Sequence, residues 1–240
     1  MVDLFTPYCT SFILLNDNYM TSSEMNTNPI DDSVIATKSA QTNPSIKQKD
    51  IQIRTASASD QRHISAAMLL AFNNDPVIRW MYPDPYQYLT YFPLMFEAYM
   101  NESLSHQTSY YVDGYGGAVQ WIPPGIEWDA EPLRKVFQEG IAESRQAEAF
   151  ELFDRLGDDH PSQPHWYLAF LGVEPIQQRK GFGSALLRPV LEQCDRDRIP
   201  ACVECLTKNV AFYKQQGFEL INQYQVGDAP IIVRMIRQPQ

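Results

Sequence analysis

Hydrophobic and polar positions divide the chain in two. Up to about residue 50 the apolar residues are scattered among Ser, Thr, Asn and Asp, as at 21–23, 26–29 and 41–44, with one short apolar run at 12–15. Such a stretch buries too little surface to offset its ordering, so 1–50 is predicted to be a disordered polar tail and 51–240 a single folded domain. From Ile51 the pattern becomes periodic. Residues 51–55 alternate as a strand does, and Ile64, Met68 and Ala71 recur at helical spacing. Ser57 or Ser59 suits the start of that helix, which is predicted to run to about Phe72. Residues 85–104 predict a helix with an aromatic face of Tyr88, Phe92, Phe96 and Tyr99. That face is expected to pack the core, with a substrate pocket as the alternative.

Two strands at 108–112 and 117–122 flank the turn pair Asp113 and Gly114, and Pro123 ends the second. A polar helical stretch covers 130–156. The run 165–173 is almost continuously apolar, the pattern of a strand buried on both faces. A helix over 182–197 follows, which Pro189 is expected to kink or shift. Then come a strand at 201–206, a short helix at 210–216 closed by Gly217, and strands at 218–225 and 231–236. This order implies an α/β or α+β sheet with a crossover connection.

Composition narrows the function classes. The 240 residues are 44% hydrophobic and 20% charged, ordinary for a globular protein. The formal net charge of -10 argues against nucleic acid and anionic membrane as partners and favours a cationic small substrate. No run approaches the ~18 apolar residues of a membrane span, and no basic residue precedes the 12–15 run as a signal peptide would require. Of four cysteines, Cys202 and Cys205 have C-x-x-C spacing. On a strand, residues three apart face opposite ways, so the reading is buried thiols in a reduced, cytoplasmic protein with no metal.

The chemistry concentrates after the long apolar strand. Gln178, Gly181 and Gly183 lie between that strand and a helix, beside Arg179 and Lys180. A helix start leaves about four N–H groups without internal partners and carries roughly half a positive charge. Glycines let a diphosphate approach those donors closely. The Walker pattern is absent, and the dinucleotide fingerprint lacks its third glycine.

The segment 178–183, Gln-Arg-Lys-Gly-Phe-Gly, preceded by Leu171-Gly-Val-Glu-Pro175, resembles motif A of the GNAT superfamily of N-acetyltransferases. Residues 209–218, Asn-Val-Ala-Phe-Tyr-Lys-Gln-Gln-Gly-Phe, resemble that superfamily's second element. Within it, the segment from His165 to Leu168 is most similar to the puromycin N-acetyltransferase branch. The resemblance implies a mixed, mostly antiparallel sheet of six or seven strands, flanked by about four helices and splayed between two central parallel strands. It implies acetyl-CoA as cosubstrate and an acyltransferase activity. Leu171, Gly172 and Val173 would meet the pantetheine arm. Gln178, Arg179, Lys180, Gly181, Phe182, Gly183 and Ser184 would cradle the diphosphate. Asn209 would bond the arm, with Phe212 beside it and Tyr213 at the sulfur.

Amine attack on a thioester requires a neutral amine, donors for the oxyanion and a proton for the thiolate. Tyr213 suits the last role. Glu204, in an apolar strand, is either a base or the partner of an arginine, and His165 is a second option. Asn74, Asp75, Trp80, Tyr82, Trp121 and His165 are the candidates for an aromatic acceptor pocket. Three functions follow: acetylation of a small amine by direct attack, acetylation of a protein or peptide, or acyl-CoA binding by a non-catalytic regulator. Either a monomer or a homodimer fits.

Overall fold

The computed structural model describes residues 12–14, 51–126, 129–158 and 160–240. The expected disordered tail therefore lies outside the described residues, apart from 12–14, where the expectation is corrected: these residues form a strand paired to the sheet. In chain order the elements are β1 (Phe12–Leu14), β2 (Ile53–Thr55), α1 (Gln61–Phe72), α2 (Pro76–Met81), α3 (Pro85–Ser105), β3 (Ser109–Val112) and β4 (Gly117–Ile122). Then follow α4 (Glu131–Gly140), α5 (Glu143–Asp158), β5 (Trp166–Val173), α6 (Phe182–Asp197), β6 (Ala201–Leu206), α7 (Val210–Gln215), β7 (Glu219–Tyr224) and β8 (Ile232–Arg237).

The sheet runs β2-β3-β4-β5-β6-β8-β7, with β1 added against β5. Within the seven-strand path only β5 and β6 are parallel neighbours; the other pairs are antiparallel. The parallel pair is brief. Trp166 lies opposite Ala201 and Tyr167 opposite Cys202, after which the strands separate. A bulge coincides with the separation: along β4 the partner of Gln120 is Phe170 and that of Trp121 is Leu168, which leaves Ala169 unmatched. The extra residue bends its strand and disturbs the ladder locally, so β5 leaves β6 while staying paired to β4.

Helices α1 to α5 contribute to one buried cluster, with Ala118, Tyr167, Phe170 and Cys202 from the sheet. Helix α6 and Tyr213 of α7 contribute to the other, with Val119, Leu168, Leu171 and Cys205. The aromatic face of α3 is core packing. Phe92, Phe96 and Tyr99 surround Phe170 at centroid distances of 6.4, 5.2 and 5.2 Å, all nearly edge-on. Gly172 lets α1 lie directly on β5, since a Cβ there would meet Met68 Sδ at 2.5 Å and Ala71 Cβ at 3.0 Å. Cys202 and Cys205 fall in opposite clusters, as strand alternation requires.

Three details depart from the sequence expectations. Helix α2 has no counterpart among them. It is six residues long, too short for a period to show, and it forms because Asp75 caps it and Pro76 occupies its first turn. The stretch 130–156 is two helices, parted at Ile141, whose backbone is extended. Pro189 breaks nothing: α6 is continuous from Phe182 to Asp197, held by the buried face of Leu186, Leu187, Val190 and Leu191.

Candidate active site

The loop between β5 and α6 shapes one side of the site with its backbone. A 3-10 turn at Pro175–Gln177 leads to Arg179 (φ 61°) and Gly181 (φ 86°), both left-handed. Gly181 is the N-cap of α6, and no side chain caps that helix. The first-turn N–H groups therefore keep their donors for an external acceptor. The side-chain amide of Gln178 donates to the Val173 carbonyl at 3.1 Å and ties the loop to the end of β5.

A cleft of about 320 Å³ opens at this point. One wall is Val173, Gln178 and Arg179 with Gly181, Phe182, Gly183 and Ser184. The other is Lys208, Asn209, Ala211, Phe212 and Gln215. Most of the residues expected to hold a cofactor are thus gathered around one space. Lys180 is not among them; it is exposed and donates from Nζ to Gln177 Oε1 at 2.8 Å. Leu171 and Gly172 are also outside the cleft, buried on β5 beneath β1. Lys208, Ala211 and Gln215 were missed from sequence. Lys208 carried a usable signal, as a cation next to Asn209 in an acidic chain. Asn209 is buried at the start of α7 without capping it. Its side chain stands on the cleft wall.

Tyr213 lies behind that wall. Its ring packs edge-on against Phe212 and Phe218 at 5.0 and 5.5 Å. The residue is fully buried, and its hydroxyl has no hydrogen-bond partner among the described residues. Burial pushes its pKa well above the ordinary phenol value, so the proton stays on.

Glu204 is held in a buried polar cluster. Arg234 Nε donates to its Oε1 at 2.6 Å, and the Tyr167 hydroxyl donates to its Oε2 at 2.8 Å. Arg234 also donates to the Leu156 carbonyl at 2.5 Å. Nδ1–H of His165 donates to the Gln163 carbonyl at 2.9 Å, so its Nε2 accepts from Nδ1–H of His160 at 2.8 Å. His160 in turn lies 3.7 Å from Glu204. Glu204 as a free base is therefore corrected: its carboxylate is committed to a guanidinium and a phenol. His165 belongs to the same cluster and does not line the cleft.

The remaining acceptor candidates do not converge. Trp121 is buried in the α6-side cluster, on the opposite face of the sheet from Tyr82, because its alternation matches Val119. Asn74 is exposed at the end of α1. Trp80 Nε1–H donates to Asp228 at 2.6 Å, beneath the guanidinium of Arg145. Tyr82 is buried against Tyr91, and its hydroxyl has no partner among the described residues.

Asp75 is buried and accepts from the Val77 and Ile78 amides, both at 2.9 Å. Burial pushes its pKa up to about 6, against the opposing pull of the Ile78 amide and the Lys208 charge. A folded pKa above the unfolded ~3.9 contributes stability that is complete below pH 4 and lost as pH rises through 6. Asp75→Asn keeps the capping oxygen without the charge. Its stability is expected to match wild type at pH 4 and exceed it at pH 8, by a margin on the order of 2–3 kcal/mol at most. Melting curves across this range check it; a pH-independent difference would reject it.

Residues 144–218 match the model of the acetyltransferase (GNAT) family, a span that contains the β5–α6 loop and both cleft walls. The fold is similar to the crystal structure of a histone acetyltransferase HPA2 and related acetyltransferase from Corynebacterium glutamicum ATCC 13032. The TM-score is 0.60 at 20% identity, covering 79% of this chain and 97% of that one. This is a GNAT fold. A protein from Pyrococcus horikoshii OT3 shares it with a TM-score of 0.53 at 12% identity, over 80% of this chain and 99% of its own. In sequence, the chain is 25% identical over 210 residues to an uncharacterized N-acetyltransferase (C550.08) of Schizosaccharomyces pombe, covering 76% of this chain and 81% of that protein. The separation of β5 from β6 is thus the GNAT splay, and the cleft opens beside it.

Proposed function

We propose that the protein is an acetyl-CoA-dependent N-acetyltransferase acting on the amine of a small molecule by direct attack. One observation carries this reading: the uncapped start of α6 and the open end of β5 line one cleft in a GNAT fold. The first-turn amides of α6 and Arg179 would hold a diphosphate, and Asn209 the amide-bearing arm. The backbone at Val173 would steady the oxyanion, and Tyr213 would protonate the leaving thiolate. An unpartnered buried hydroxyl costs about 1–3 kcal/mol, which supports a role for it in the bound state. Glu204 keeps a structural part here, and the amine loses its proton to water. Similarity to the fission-yeast N-acetyltransferase supports nitrogen as the acceptor atom. The likeness to the puromycin branch rests on 165–168 and the spacing that follows.

The test is incubation with acetyl-CoA and a panel of primary amines, scored by released thiol. Amine-dependent thiol release is expected; coenzyme A binding without turnover on any amine or peptide would favour a regulator instead. A further prediction concerns the loop. Gly181→Val forces a β-branched residue to φ 86° at about 1–2 kcal/mol of strain. The dissociation constant for coenzyme A is expected to weaken at least about tenfold by calorimetry, and unchanged binding would place the cofactor elsewhere.

A further inference from the structure

The open edge of β5 already carries a strand. After Tyr167 the main-chain groups of β5 on the β6 side have lost that neighbour. Residues Phe12–Leu14 take its place, running parallel to β5 with Phe12 opposite Phe170, Ile13 opposite Leu171 and Leu14 opposite Gly172. The same three residues also run alongside β6, so β1 sits within the splay. The next residue of β5, Val173, lines the cleft. Occupied edge and cleft therefore adjoin on one strand. An extended ligand anchored at the start of α6 and running toward the splay meets β1 within one residue.

We infer that β1 is an internal competitor of the pantetheine arm, an inference that rests on the acetyl-CoA reading above. An exposed strand edge pairs with any extended chain that offers amides, whether a peptide or the two amides of pantetheine. The two occupants need the same main-chain groups, so only one binds at a time. The segment suits the part: 12–15 is the apolar run in an otherwise polar stretch. A three-residue strand is also a weak one, displaced by a ligand that has the diphosphate cradle as a second anchor. The nucleotide end of coenzyme A does not require β1 to leave; the pantetheine end does. The apparent affinity for coenzyme A is then lowered by the fraction of molecules in which β1 is docked.

The experiment compares the full chain with its double variant Ile13→Pro, Leu14→Pro. Successive N–H groups of a strand point to opposite sides, so adjacent prolines remove whichever donor faces β5. Calorimetry is run with coenzyme A and with ADP, which has the diphosphate but no arm. With β1 docked nine-tenths of the time, coenzyme A binding is expected to tighten about tenfold in the variant while ADP binding stays the same. Equal coenzyme A affinity in the two proteins overturns the inference and leaves the acetyl-CoA reading standing. No coenzyme A binding by either protein overturns both. A second measurement uses the unaltered chain. Amide hydrogen exchange of the segment containing 12–14 is expected to speed up when coenzyme A is added, and slower or unchanged exchange counts against displacement.

Discussion

Tyr213→Phe is expected to lower turnover of acetyl-CoA and amine by about 10²-fold or more, the usual worth of a positioned general acid. The dissociation constant for coenzyme A should stay within about twofold, since the ring and its contacts with Phe212 and Phe218 are retained. The structure adds a condition that separates chemistry from packing. The hydroxyl is buried without a partner among the described residues. Removing it therefore relieves a desolvated donor and breaks no bond in the free protein. The melting temperature of the variant should equal or slightly exceed that of wild type. Slow turnover by a protein of undiminished stability marks a catalytic proton. Undiminished turnover reduces Tyr213 to a core residue.

The second large effect concerns Glu204 and stability. Glu204→Ala leaves the Arg234 guanidinium buried without its carboxylate, with Tyr167 also losing an acceptor. Breaking a buried pair from one side costs about 3–5 kcal/mol. For a chain of this size that lowers Tm by roughly 10 °C. Replacing both partners with apolar residues, Glu204→Leu with Arg234→Met, removes both charges together. The double variant is expected to melt above the single one, because the cost lies in the stranded charge more than in the lost attraction. This pattern separates a structural ion pair from a catalytic base. A base would leave Glu204→Gln well folded and inactive, with no recovery on changing Arg234.

Much of the site was legible because its parts are local. Gln178, Gly181, Gly183 and Asn209 owe their places on the cleft wall to where a strand ends or a helix begins, and both show in a short window of sequence. Glu204 illustrates the other case. A carboxylate in an apolar strand signals that some partner must exist, but β6 cannot name Arg234, which lies 30 residues on and is brought opposite it by the β6–β8 register. Trp121 failed for a related reason. Its strand was correctly found, yet which face it shares with which helix depends on packing across the whole sheet.

The amino-acid sequence by itself determined the element order from β2 onward, apart from α2 and the parting of α4 from α5, and the glycine-bearing turn before α6. It also determined that Asn209 and Tyr213 share one short helical segment. Each of these rests on hydrophobic period, glycine placement or helix-terminus chemistry, which act over a few residues. Only the tertiary structure decided that β5 bulges at Ala169 and parts from β6, that Glu204 is committed to Arg234, and that residues 12–14 occupy the opened edge. Those outcomes depend on which strands become neighbours. Strand pairing is a contest among distant segments for the same main-chain groups, and no local pattern records who wins it.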